Sequence, residues 1–140
     1  MTIEKTEIDI RYQETDQMGV VYHANYLVWF EIGRTKLIES LGFSYADMES
    51  NNVVAPVVDA QISFKKPFRY GEKATVESWI AEYDGLRTVY GYRILNKDGE
   101  IAITGTTKHV IVKKDSFRPL SLKRAFPEWH LAYKKEVEGV

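Results

Sequence analysis

Cysteine is absent from all 140 residues, which excludes disulfides, thiolate metal sites and a Cys nucleophile. An excess of charge of one sign is also missing. The 19 Lys and Arg stand against 20 Asp and Glu, a formal net charge of -1, without the basic balance that favours nucleic acid as a partner. Long apolar runs are lacking too. Residues 1–10 alternate charged and apolar side chains, so neither a signal peptide nor a spanning helix is expected, and the expected compartment is the cytoplasm. There is no G-x-S-x-G elbow, no G-x-x-x-x-G-K-[ST] loop and no G-x-G-x-x-G, which argues against serine-hydrolase, nucleotide-hydrolase and dinucleotide-binding chemistry. His109 and His130 have no partner at ligand spacing, so no metal site is expected, nor any cofactor.

What is present suits one domain over residues 1–140, long enough to bury roughly two thirds of the surface its unfolded form exposes. Residues 3–12 alternate, with Ile8, Ile10 and Tyr12 on one side and Glu7, Asp9 and Arg11 on the other, the period of a half-buried strand. From about residue 24 the period changes. Tyr26, Trp29, Phe30, Gly33, Leu37 and Leu41 recur at three- and four-residue steps, which predicts one long helix with Gly42 as its C-cap. Gly33 inside that stripe costs about 1 kcal/mol relative to alanine, which close approach of the backbone to a sheet would explain. A helical turn capped by Ser44 is expected next. Then follows a strand with Val58, Ala60, Ile62 and Phe64 on one face, ending near Pro67. Asp84-Gly85 and Asp98-Gly99 punctuate three further strands at about 73–83, 87–96 and 100–112, an antiparallel meander. A short C-terminal helix starts near Glu128. The order implies an α+β domain in which a sheet curls around a helix and leaves edges to cover, so a homodimer is expected.

Between the first strand and the long helix lies the run Arg11-Tyr12-Gln13-Glu14-Thr15-Asp16-Gln17-Met18-Gly19-Val20-Val21-Tyr22-His23-Ala24-Asn25-Tyr26. An Asp in a loop is ordinarily a turn residue or cap, but a cap sits immediately before its helix and Asp16 lies some seven residues ahead. Gly19 permits a bend that returns the carboxylate toward the helix start, where free N–H groups can hold an oxyanion. That junction suits acyl transfer. His23 is either a hydrogen-bonded histidine near the cap or a site residue. Tyr12 is either a rim aromatic or a phenol that donates to substrate or carboxylate. Arg11 and Glu14 read as solvated, and Glu31 reads as an i,i+3 partner of Arg34. The loop Lys65-Lys66-Pro67-Phe68-Arg69-Tyr70-Gly71 is basic with interleaved aromatics, suited to phosphates with a stacked base, and Arg87, Lys113 and Lys114 could join it.

On Tyr12, Asp16, Gly19-Val20-Val21-Tyr22-His23, Asn25-Tyr26 and Phe30-Glu31, the chain resembles acyl-CoA thioesterases of the hotdog-fold superfamily, in the branch similar to 4-hydroxybenzoyl-CoA thioesterase. The resemblance implies a five-stranded antiparallel sheet wrapped around a long central helix. It also implies a homodimer or homotetramer with its active site at the dimer interface. It makes Asp16 the catalytic carboxylate, Tyr12 and His23 active-site residues, and the helix start around His23 and Ala24 the group that polarises the thioester carbonyl. Lys65, Lys66 and Arg69 correspond to a region near the pantetheine and nucleotide of CoA. Another hotdog branch carries its carboxylate on the central helix, which makes Glu31 a competing base. The expected substrate is an acyl-CoA, with an acyl-carrier protein as a further candidate partner. Two other readings share the scaffold: a non-catalytic acyl-CoA or acyl-carrier-protein binding module, and an enoyl-CoA hydratase using Asp and His.

Overall fold

The computed structural model describes residues 1–139. Five strands, β1 (Glu4–Asp9), β3 (Val57–Phe64), β4 (Lys73–Tyr83), β5 (Arg87–Leu95) and β6 (Ile101–Val110), form one antiparallel sheet in the order β1-β4-β5-β6-β3. A pair of two-residue strands that the residue pattern did not announce, β2 (Val53–Val54) and β7 (Val112–Lys113), makes a separate ladder. The Asp-Gly pairs at 84–85 and 98–99 stand at the two turns of the meander, as expected. The architecture is the α+β hotdog arrangement of sheet and helices.

Helix α1 (Asn25–Ser40) packs chiefly against β1 and β4, burying Tyr26, Trp29, Phe30, Gly33 and Leu37 along the predicted stripe. A Cβ built on Gly33 would stand 2.7 Å from Val76 Cγ1 on β4, so helix and strand meet too closely for any side chain there. Phe30 stacks on Tyr92 of β5 with ring centroids 4.2 Å apart. Ser44 accepts from the Asp47 amide and caps α2 (Tyr45–Ser50). The C-terminal segment is helical over α3 (Leu122–Ala125) and α4 (Pro127–Glu138), with Trp129 and Tyr133 turned inward.

Two expectations need correction. The first strand is shorter than residues 3–12, because a 3-10 turn at Tyr12–Glu14 ends it; Ile8 and Ile10 are buried as their period requires, but Tyr12 is 75% exposed. The apolar face drawn by Val58, Ala60, Ile62 and Phe64 is only partly covered. β3 is the outermost strand: Ile62 packs against the core and Phe64 lies beside Tyr26 of α1, ring centroids 5.8 Å apart, but Val58 and Phe64 remain more than half exposed.

Inside, a polar chain crosses the core from α1 to the segment before β3. Arg34 Nη1 donates to the Tyr92 hydroxyl at 3.0 Å, and Tyr92 lies 2.6 Å from Thr107 Oγ1. Thr107 Oγ1 lies 2.9 Å from His109 Nε2, and His109 Nδ1 lies 2.8 Å from the Ala55 carbonyl. The Ala55 carbonyl only accepts, so Nδ1 carries a proton; with the imidazole neutral, Thr107 donates to Nε2, and Tyr92, which accepts from Arg34, donates to Thr107. Burial pulls His109 down to about 4, the Arg34 charge adds to this, and the Ala55 carbonyl only partly offsets it. In the unfolded chain the same group binds its proton near pH 6.5. The unfolded state thus takes up more protons in between, and stability falls as pH drops from about 6.5 toward 4, by about 3 kcal/mol over the full window. Urea denaturation at pH 7 and pH 4.5 tests this: His109→Gln should lose markedly less stability between the two than the wild type, and equal losses would contradict the assignment.

Candidate active site

The junction between β1 and α1 is organised by Glu14, a residue the sequence reading left solvated. It is 4% exposed. Its carboxylate accepts from the Arg11 amide at 2.8 Å and from Trp29 Nε1 at 2.9 Å, with the Arg11 guanidinium 3.6 Å away. Its backbone carbonyl accepts from the Tyr22 amide at 2.8 Å and Asn25 Nδ2 at 2.9 Å. Burial by itself would raise this carboxyl, but the Arg11 amide, the Trp29 indole and the Arg11 charge outweigh it and hold it below the ordinary value. A charged carboxylate thus ties the 3-10 turn to the first turns of α1.

Within the clamp, residues 16–20 form a tight turn. Asp16 and Val20 pair through an N–H···O bond of 2.9 Å, the Gly19 amide returns to the Asp16 carbonyl, and Gly19 takes φ 81°, which glycine adopts without strain. Asp16 Oδ1 accepts from the Met18 amide at 2.8 Å, while Oδ2 has no protein partner among the described residues. The Val21 amide then bonds the Phe68 carbonyl at 2.8 Å, stitching this turn to the basic loop. Asp16 is therefore both the turn residue of the bland interpretation and a half-buried carboxylate with one oxygen left over.

That oxygen belongs to a residue lining a cleft of about 270 Å³, which Asp16 shares with His23, Tyr26, Phe64, Lys65 and Lys66. The start of α1 forms part of the same region. Ala24 is the N-cap, has no side chain able to cap, and leaves the amides of His23 and Ala24 without an acceptor among the described residues; those of Tyr26 and Leu27 make only long bonds of 3.3 Å. Uncapped amides at a helix N-terminus attract negative charge. Burial, together with the charge of Asp16, raises the Tyr26 phenol, which keeps it protonated as a donor at neutral pH.

The residues expected from the sequence divide. Asp16, His23, Lys65 and Lys66 come together at the cleft. His23 is exposed there, its ring 4.5 Å from that of Tyr22 and 6.2 Å from that of Phe64. Tyr12, Ala24 and Arg69 do not line the cleft; Tyr12 lies edge-on to Tyr70, Ala24 is exposed at the start of α1, and the Arg69 amide bonds Glu72. Lys66 is ion-paired with Glu100, which leaves Lys65 the freer cation. Arg87 pairs with Asp84 and Lys114 with Glu49, so neither extends the basic loop. Glu31 makes no ion pair with Arg34 and borders a different cavity, which removes it from this carboxylate's neighbourhood. Tyr26 and Phe64 were missed as wall residues; the helical stripe marked Tyr26 only as core. Among the described residues no cluster of His and carboxylates could hold a metal, and no helix is long and apolar enough to cross a membrane.

Comparison with known proteins places this geometry in a family. Residues 10–132 match the model of the thioesterase-like superfamily. YneP of Bacillus subtilis, to which acyl-CoA thioesterase activity is ascribed, is 58% identical over 135 residues, spanning 96% of this chain and 98% of its own. A DHNA-CoA thioesterase structure from Staphylococcus aureus is 50% identical, covers 96% of this chain and 91% of its own, and superposes with a TM-score of 0.94. A 1,4-dihydroxy-2-naphthoyl-CoA hydrolase from Thermosynechococcus vestitus is 26% identical over 121 residues, 86% of this chain and 83% of its own. With the family match running from the end of β1 into α4, this chain belongs to the thioesterase-like superfamily of hotdog-fold thioester hydrolases.

Proposed function

We propose that the chain hydrolyses acyl-CoA thioesters, with Asp16 as the reacting carboxylate and the start of α1 as the oxyanion site. The observation that carries this is a cleft lined both by Asp16, whose Oδ2 has no protein partner among the described residues, and by His23, next to the start of α1 where the amides of residues 23 and 24 have no acceptor among the described residues. In the reaction, Asp16 attacks the thioester carbonyl or directs water onto it, while the amides of His23 and Ala24 take the developing negative charge. Each aligned donor is worth about 3 to 4 kcal/mol in such a role. Thiolate is a good leaving group, so no strong general acid is required, and His23 and Tyr26 serve to orient the substrate. In this reading Lys65, on the wall of the cleft, meets a CoA phosphate. The similarity to the DHNA-CoA and 1,4-dihydroxy-2-naphthoyl-CoA enzymes favours an aromatic acyl group over an aliphatic chain, and CoA over an acyl-carrier protein.

The unit that performs this is read as a cytoplasmic homodimer, able to pair further into a homotetramer. β3 is an edge strand whose length is exposed, and Leu27, Val28 and Ile32 on α1 are exposed apolar side chains. Two copies related by a twofold axis would pair β3 with itself antiparallel and bring Phe64 of one cleft toward the other copy. Sedimentation at assay concentration should give a dimer or larger, and a monomer with full activity would remove this part of the reading.

Asn at position 16 can still accept from the Met18 amide, so Asp16→Asn should fold normally while losing the reacting oxygen. Free-thiol release from a panel of aryl- and alkyl-CoAs should fall by about 10³-fold in that variant with KM little changed. Near wild-type turnover would end the assignment, and binding without turnover in the wild type would leave a binding module in its place.

A further inference from the structure

Two residues expected in the site, Tyr12 and Arg69, are absent from the cleft, and the fold brings both to one place outside it. Tyr12 opens the 3-10 turn after β1, and its ring meets that of Tyr70 edge-on, with centroids 5.6 Å apart and planes at 85°. Tyr70 follows Arg69 in a turn closed by the bond from the Glu72 amide to the Arg69 carbonyl, 3.1 Å, with Gly71 at φ 88°, which glycine adopts without strain. Phe68, fully buried, anchors the same loop beside Trp29, ring centroids 5.7 Å apart, and Glu14 holds the turn that carries Tyr12. Both tyrosines are thus fixed at their backbones while their rings stand out in water, Tyr12 75% and Tyr70 61% exposed. The Arg69 side chain is exposed as well, and its guanidinium has no carboxylate within 4 Å among the described residues. Glu72, the one carboxylate in this turn, bonds the Arg69 amide.

Two rings at right angles make a corner: a third flat ring stacks on the face of one and presents its edge to the other. An unpaired guanidinium beside that corner draws phosphate. We propose that Tyr12, Tyr70 and Arg69 form a docking corner for the nucleotide of CoA, with the adenine on the tyrosine rings and a phosphate on Arg69. This rests on the reading of the cleft as the thioester site and extends it to the other end of the substrate. The loop from Lys65 to Gly71 joins the two places. Lys65 lines the cleft, and Tyr70, five residues on, lies at most about 18 Å away along the chain, a gap that the pantetheine arm bridges. Tyr12 follows β1 and Tyr70 precedes β4, at the sheet edge opposite β3, so pairing of two copies through β3 leaves the corner open. The consequence is selectivity for the carrier. An acyl group on CoA gains the corner, whereas the same group on pantetheine, or on the phosphopantetheine of a carrier protein, has no base to place there.

Calorimetric titration with adenosine 3′,5′-bisphosphate tests the corner without an acyl group. It should bind wild type and Asp16→Asn alike, with an affinity that falls as salt rises. Tyr70→Ala should weaken it by at least about fivefold, and Tyr70→Phe, which keeps the ring, should bind as wild type does. Arg69→Gln should weaken it and flatten its salt dependence. In turnover, Tyr70→Ala should raise KM for the best aryl-CoA of the panel by at least about fivefold at unchanged kcat, and leave kcat/KM for the same acyl group on pantetheine at the wild-type value. Absence of binding at millimolar bisphosphate, equal wild-type KM for the CoA and pantetheine thioesters, or a Tyr70→Ala effect shared by both substrates would each overturn the corner. Retained turnover in Asp16→Asn would remove the catalytic reading alone, and the bisphosphate titration would still decide the corner.

Discussion

The arrangement rests on a buried carboxylate at the end of a strand. Glu14 is ionised inside the fold because it is met by an amide, an indole N–H and a guanidinium, and its own carbonyl receives two further donors from the far end of the loop. Removing such a charge's partners is costly because burial in low dielectric penalises it unless it is fully hydrogen-bonded. The same contacts close the loop from Arg11 to Asn25 over Trp29. They bring the turn that carries Asp16 alongside the first residues of α1, and the Val21–Phe68 bond brings the loop containing Lys65 to the same place.

The sheet and helix supply a rigid frame for that loop and divide the molecule into two differently built regions. At the N-terminal end of α1, amides are left open and the surrounding side chains are partly wet, which suits a site where charge appears during a reaction. Further along the same helix, Arg34 borders a cavity of aromatic and aliphatic side chains and is linked through Tyr92 and Thr107 to His109. The outer strand β3 runs along the edge of both regions, with Val57 at one and Phe64 at the other. Its exposure makes it the natural place for a second copy to act on either.

Much of this was legible in the residues. The 3.6-residue stripe located α1, Gly33 announced its contact with β4, and the two Asp-Gly pairs located the turns of the meander, because each signal is local and its cause is steric or periodic. Asp16, His23, Lys65 and Lys66 stood out by residue type, and the fold brings them to one cleft. What failed depended on distant packing. Tyr12 matched the period of β1 but lies in the 3-10 turn beyond the strand's end, and the apolar face of β3 is only partly covered because it lies at the sheet's edge. Glu14 itself looked solvated, since nothing in its sequence neighbourhood reveals that Trp29, fifteen residues on, will donate to it. Arg34 was paired with Glu31 by spacing alone, whereas its side chain turns to Tyr92, 58 residues away.

The claim that a charged Glu14 positions Asp16, the carboxylate proposed to react, is tested most directly by turnover in Glu14→Gln, assayed well below that variant's melting temperature. The glutamine keeps the shape, loses the charge, and presents a donor to groups that can only donate. If the clamp sets the geometry, kcat falls by at least about tenfold while the pH dependence of the remaining activity is unchanged. A folded Glu14→Gln protein with the wild-type kcat would contradict the account.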